Sequence, residues 1–163
     1  MRFLSATVAG LAAATLACAA LALPAGLLAQ DMTVEGTGAY IPIEQTERSM
    51  TDGRTMVFAR FGGYVTTDDP ASPFHMGSQD CAATSLVSAD GVLVYSSGHC
   101  ASEDPEGDVY WYSFWNDGED AGYSLTDGTG KFAGLSGGGT TTVLDMGEDG
   151  RMFIRWEGGW TRE

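Results

Sequence analysis

Basic residues are scarce in this chain: 8 Lys and Arg stand against 22 Asp and Glu, a formal charge of −14. That balance repels phosphate backbones and anionic lipid, so nucleic-acid binding and adhesion to an acidic membrane surface are excluded. Histidine numbers only two and cysteine three. A zinc or iron centre needs more such ligands close together, so neither a metal nor any other cofactor is expected. Long amphipathic helical periodicity is missing, which argues against bundles and nucleotide-binding α/β folds. Gly128-x-Gly130-x-x-Ala133 fits the dinucleotide fingerprint in letters only, because no helical pattern follows it. Gly130-Lys131 is no phosphate loop either: Leu125 stands where the first glycine belongs and Phe132 where Ser or Thr should be.

What is present begins with a leader. Arg2 is followed by an apolar run from Phe3 to Leu23 and then by the breaker Pro24-Ala25-Gly26, the pattern of a secretory signal peptide. Cleavage is expected after Ala29, with residues 1–29 as signal peptide and 30–163 as one domain, periplasmic or secreted, without membrane attachment once the leader is gone. The leader carries away Arg2 and no acid, so the mature chain is one unit more negative. It also carries away Cys18, which leaves Cys81 and Cys100 as a pair in an oxidising compartment, read as a disulfide.

Glycine is abundant, at 23 residues. Asp-Gly recurs between short β-prone runs, at Asp52-Gly53, Asp90-Gly91, Asp117-Gly118, Asp127-Gly128 and Asp149-Gly150. Asp-Gly suits tight hairpins, so the spacing predicts an all-β antiparallel meander. Strands are expected over Met32–Glu35, Ile43–Met50, Thr55–Thr67, Ala82–Ser88, Val92–Ser97, Val109–Trp115, Gly122–Leu125, Thr140–Leu144 and Arg151–Trp156. Gly62-Gly63 should mark a bulge or bend, and Asp68–Asp80 one long loop, read as a crossover with a lid as the alternative. Strands of this number and length close into a barrel or stack as a sandwich.

The stretch Gly128-Thr129-Gly130-Lys131-Phe132-Ala133-Gly134, followed by Gly137-Gly138-Gly139-Thr140, resembles the signature of the allene-oxide-cyclase-like and dirigent-like barrels, a calycin-type fold. Gly98-His99-Cys100 and then Asp104-Pro105-Glu106-Gly107-Asp108 look like the Gly-aromatic-Cys step and acidic turn of exported bacterial members. Here His99 replaces the aromatic and Glu106 an Asp. The likeness spans roughly Cys81 to Thr142 and implies an antiparallel barrel of eight or so strands around a central cavity. No catalytic residue of the plant enzymes maps onto this chain. The expected function is therefore binding of a small apolar molecule or a protein partner, with a homo-oligomer left open. A cyclase or isomerase acting on an apolar substrate is the alternative, and a serine hydrolase a remote one. Candidate ligand-binding residues are Tyr110, Trp111 and Tyr112 of an aromatic run, with Tyr95 and His99 on the neighbouring strand.

Two catalytic decoys fall on spacing. Ser97-Gly98-His99-Cys100 and Gly134-Leu135-Ser136-Gly137-Gly138 look like the histidine and nucleophile regions of trypsin-like proteases, with Asp117 or Asp120 as third member. Leu135 replaces the acid before the serine, and the span from His99 to Ser136 is too short for a second barrel. Asp104, Glu106 and Asp108 alternate as in a calcium loop, but Val109 and Trp115 occupy the required glycine and acid positions. The three read instead as solvated acids of a hairpin turn.

Turn chemistry also sets a register. If Asp90-Gly91 form a two-residue loop, Ala89 faces Val92, Val87 faces Val94, Ser85 faces Ser96, and Cys81 faces Cys100. Counting from the turn makes the cysteines a hydrogen-bonded-type pair, about 5.5 Å between Cα atoms, and Leu86, Leu93, Tyr95 and His99 the lumen face.

Overall fold

A computed structural model describes residues 32–162, so the expected leader and its cleavage point lie outside the described residues. The chain forms a closed barrel of eight antiparallel strands, each bonded to its sequence neighbours, with the first bonded to the last. They are β1 (Met32–Ser49), β2 (Thr55–Thr67), β3 (Gly77–Val87), β4 (Leu93–Glu103), β5 (Val109–Asn116), β6 (Ala121–Gly128), β7 (Leu135–Met146) and β8 (Met152–Arg162). A single 3₁₀ turn, Gly130–Phe132, lies between β6 and β7. The two separate strands expected between Met32 and Met50 are one, kinked by a bulge between Pro42 and Glu44. Gly62-Gly63 is regular strand paired with Ile41 and Tyr40, next to the bulge and not part of it, with Ile43 and the Tyr40 ring packed on the two glycines.

Four hairpin loops share one construction. Gly53, Gly91, Gly107 and Gly150 sit at positive φ as the last residue of a three-residue loop. In each, the glycine N–H bonds back to the residue before the loop, and that residue's N–H bonds to the residue after it. This is the type I turn with a left-handed glycine, not the two-residue loop expected at Asp90-Gly91. Asp117-Gly118 does close on two residues, Gly118 and Glu119, with Gly118 at φ 91°. Asp127-Gly128 makes no turn and ends β6.

The β3–β4 hairpin keeps the expected register by a different route. Its three-residue loop moves Val87 opposite Leu93, and a bulge beyond Leu86 restores Leu86 to Tyr95, Ser85 to Ser96 and Cys81 to Cys100. The cysteines are bonded. Because the bulge resets the alternation of ladder bonds, their Cα atoms lie 4.1 Å apart, the spacing of a narrow non-hydrogen-bonded pair.

The lumen face is also the reverse of the one expected. Cys81 and Cys100 are buried inside with Tyr40 and Val65, whereas His99 and Tyr95 point outward and are exposed. The reason is volume. Phe114 reaches inward from β5 and lies where a Cβ on Gly98 would be, 2.5 Å from its ring. Large side chains on one strand require small ones opposite, so β3 and β4 turn their small residues inward.

Candidate functional site

The barrel is stoppered at one end. The loop between β2 and β3 delivers Phe74, and the Gly-rich segment delivers Phe132 and Leu135, which are 1% and 2% exposed. Phe74, Tyr110, Phe132 and Trp156 pack ring against ring, the Phe74–Tyr110 and Tyr110–Phe132 centroids being 5.1 and 4.9 Å apart. The residues that resemble a family signature therefore build a plug. Gly130 takes φ 51° so that its N-terminal neighbour can bond to β5, and a Cβ there would strike the Asp108 carboxylate. Asp127 Oδ1 accepts the N–H groups of Gly128 and Gly134, which folds the segment back on itself.

Lys131 fastens this plug to the β4–β5 turn. Its ammonium lies 2.5 Å from Asp104 Oδ2 and 3.2 Å from Glu106 Oε2, and its N–H bonds Asp108 Oδ2. Asp104, Glu106 and Asp108 bring oxygens within 4.8 Å of one another, but the lysine cation occupies the place between the first two. Asp104 is buried, so these are not all the solvated acids expected. Burial pushes its carboxyl up, yet Lys131 and the N–H groups of Asp108 and Glu106 pull it further down, leaving it below the ordinary aspartate range.

Above the plug lies a polar layer. Tyr112 OH donates to Gln79 Oε1, and Tyr40 OH stands 3.3 Å from Tyr112 OH and 3.4 Å from Gln79 Oε1. Gln79 Nε2 donates to Ser102 Oγ at 2.7 Å, and Ser102 is completely buried. Burial raises the phenols of Tyr40 and Tyr112 above the ordinary tyrosine range, and Tyr110 with them. Tyr123 is pushed up to about 12 by burial and by the Glu157 carboxylate. All four are therefore neutral at physiological pH: hydrogen-bond donors and acceptors, not bases.

Beyond this layer the lining changes to small residues. Ala59, Ala83, Ser85, Ser96 and Gly98 continue the disulfide face toward the other end, with Phe61, Phe114, Met152 and Ile154 beside them. These positions are half-buried although they face inward. The rim carries exposed Met50, Val92, Val94, Val143, Leu144 and Met146.

Of the residues expected to bind a ligand, Tyr110 and Tyr112 lie inside, at the plug and in the polar layer. Tyr95, His99 and Trp111 lie outside, so the barrel wall separates the expected group into two. The triad of the hydrolase reading does not assemble: Ser136 Oγ bonds Thr161 Oγ1 at 2.9 Å, and β7 is three strands from β4, which carries His99. His75 is half-buried and its Nδ1 bonds the Thr67 carbonyl at 2.9 Å. Sequence reasoning missed Tyr40, Gln79 and Ser102. Gln79 fell in the segment read as loop, and Ser102 has no distinguishing neighbours. Tyr40 carried a signal, since Gly36-x-Gly38-x-Tyr40 alternates on one face and the glycines leave room for rings: Trp156 lies 2.7 Å from a Cβ built on Gly36.

No protein-family profile matches the sequence, and no curated protein matches it. Among solved structures the barrel is similar to the pterocarpan synthase dirigent protein, with a TM-score of 0.54 over 83% of this chain and 90% of that one. Identity is 13%, so the likeness is one of fold. The chain has a dirigent-like barrel.

Proposed function

We propose that this protein is an exported binding barrel that holds a small, largely apolar molecule in its open half, with an oxygen of that molecule on the Tyr40–Gln79–Tyr112 layer. The observation that carries this reading is the change of lining along the axis, from close-packed rings to small side chains, with neutral polar groups at the boundary. An apolar pocket with a few convergent polar groups is the usual form of a small-molecule site. The dirigent-like fold agrees with a binding role.

Titration with N-phenyl-1-naphthylamine should give saturable fluorescence, and an oxygenated terpenoid should displace the dye. Ser85→Phe combined with Ala83→Leu should abolish binding by filling the open half. Tyr112→Phe should weaken an oxygen-bearing ligand while leaving a hydrocarbon unaffected. An absence of saturable binding across a broad lipid and terpenoid panel would leave a barrel filled by its own side chains. A cyclase or isomerase is the second reading, favoured by the convergence of hydroxyls in an apolar lumen. Turnover of a bound ligand, lost in Tyr40→Phe and Tyr112→Phe, distinguishes it. Export is tested by the intact mass of the mature protein, expected to begin at Gln30.

A further inference from the structure

Two of the three expected ligand residues left outside the barrel share one site, and Trp111 lies apart from it. Tyr95 and His99 line a groove on the outer wall of β1–β5, together with Phe58, Arg60 and Trp115. The ladder pairs set its floor. One row across the strands runs Glu44, Arg60, Ala82, His99, Ser113, and the next runs Thr46, Phe58, Thr84, Ser97, Trp115. Short side chains hold the middle, and aromatic rings rise at either side. Phe58, Tyr95 and Trp115 are 44%, 44% and 39% exposed, which is high for three rings bordering one concavity of about 830 Å³. Arg60 is held in place by Asp80 at 3.0 Å and Glu44 at 3.8 Å. Trp115 is braced on β6, its ring 2.7 Å from a Cβ built on Gly122.

We infer that this groove is a second binding site and that it takes a neutral oligosaccharide chain. An apolar small molecule is a poor fit, because such ligands bury most of their surface in a closed pocket and this groove opens along the wall. A polyanion is disfavoured by the charge of −14. A sugar chain matches both textures. Its axial C–H faces carry slight positive charge and lie against the negative faces of aromatic rings. Its hydroxyls exchange hydrogen bonds with Ser97, Ser113, Thr84, His99, Glu44 and Arg60. The rows cross five strands at a spacing of about 4.8 Å, roughly 19 Å in all, which suits a chain of several rings better than a single sugar.

The test uses the folded mature protein titrated with cello-, xylo-, manno-, laminari- and chitohexaose, followed by tryptophan fluorescence and calorimetry. At least one hexaose should bind saturably. Trp115→Ala and, independently, Tyr95→Ala should weaken it at least tenfold, with far-UV circular dichroism unchanged. Trp111→Ala, outside the groove, should bind as the parent does, as should the lumen variant Ser85→Phe. The last comparison separates this site from the lumen site, since either can fail without the other. No binding by any hexaose overturns the inference, and so does equal binding by Tyr95→Ala and Phe58→Ala. Concentration-dependent self-association that is lost in Trp115→Ala overturns it too, by giving the groove to a second copy of the chain.

Discussion

The two ends of this barrel are made from the same kind of strand and yet are opposites. At the plugged end, loops bring in Phe74, Phe132 and Leu135, and an ion pair ties one loop to another. At the open end, three-residue turns close β1–β2, β3–β4 and β7–β8, a two-residue turn closes β5–β6, and apolar side chains remain on the rim. The difference teaches that packing and openness are segregated along the axis. One half buries its rings and holds the sheet in shape, so that the other can keep small residues inside.

The largest effect should come from the plug itself. Phe132→Ala removes a side chain that is 1% exposed and should cost about 3–5 kcal/mol, read as a lower urea midpoint. Leu144→Ala, on the open rim, should stay within about 0.5 kcal/mol. Comparable losses from the two would break the contrast between the ends. Next comes the disulfide, which ties β3 to β4. Reduction, or Cys81→Ala with Cys100→Ala, should cost about 3 kcal/mol through the unfolded chain, checked by denaturant unfolding with and without reductant.

Removing the fastener should rank third. Lys131→Met leaves the buried Asp104 carboxylate without its cation and should cost about 2 kcal/mol. Its pH dependence has a definite sign. The Asp104 carboxyl is lowered in the folded protein, so its contribution is complete above the ordinary aspartate pKa and is lost as pH falls through the folded value. Acid should therefore weaken the parent and narrow its gap from Lys131→Met. A gap that widens on acidification would remove the fastener from the account.

The smallest effect lies in the phenols of the polar layer and its surroundings. Their folded pKa values are raised, so their contribution is present below the ordinary tyrosine pKa and lost as pH rises through the folded values. Spectrophotometric titration should find phenols that ionise only with alkaline unfolding, and Tyr112→Phe should make that unfolding start at higher pH.

Much of the fold is legible in the sequence because turns and cysteines are local signals. Asp52-Gly53, Asp90-Gly91 and Asp149-Gly150 mark hairpins whichever turn type they adopt, and the Cys81–Cys100 register survives because a bulge compensates a shorter loop. The direction of each face is not local. Whether Ala83 or Leu86 points inward depends on Phe114 and Tyr40, which arrive from other strands. The same limit hid the polar layer: Tyr40, Gln79 and Tyr112 are distant in sequence, and only closure of the ring brings their oxygens together. The Gly-rich signature was visible as a motif, but its work as a stopper depends on where Lys131 finds its acids.

The seam between β1 and β8 sets an order of events. Every other neighbour pair joins consecutive strands, but Met32 meets Trp160 and Tyr40 meets Met152. A chain emerging N-terminus first, from a ribosome or through a membrane channel, can stack hairpins as they appear and still has an unsatisfied edge on β1. That edge finds its partner only when the last strand arrives. Until then the growing sheet is open, and its bare edge can take up a strand from another molecule. A truncation that removes β8 should therefore yield not a smaller barrel but a chain prone to adhere to its own kind.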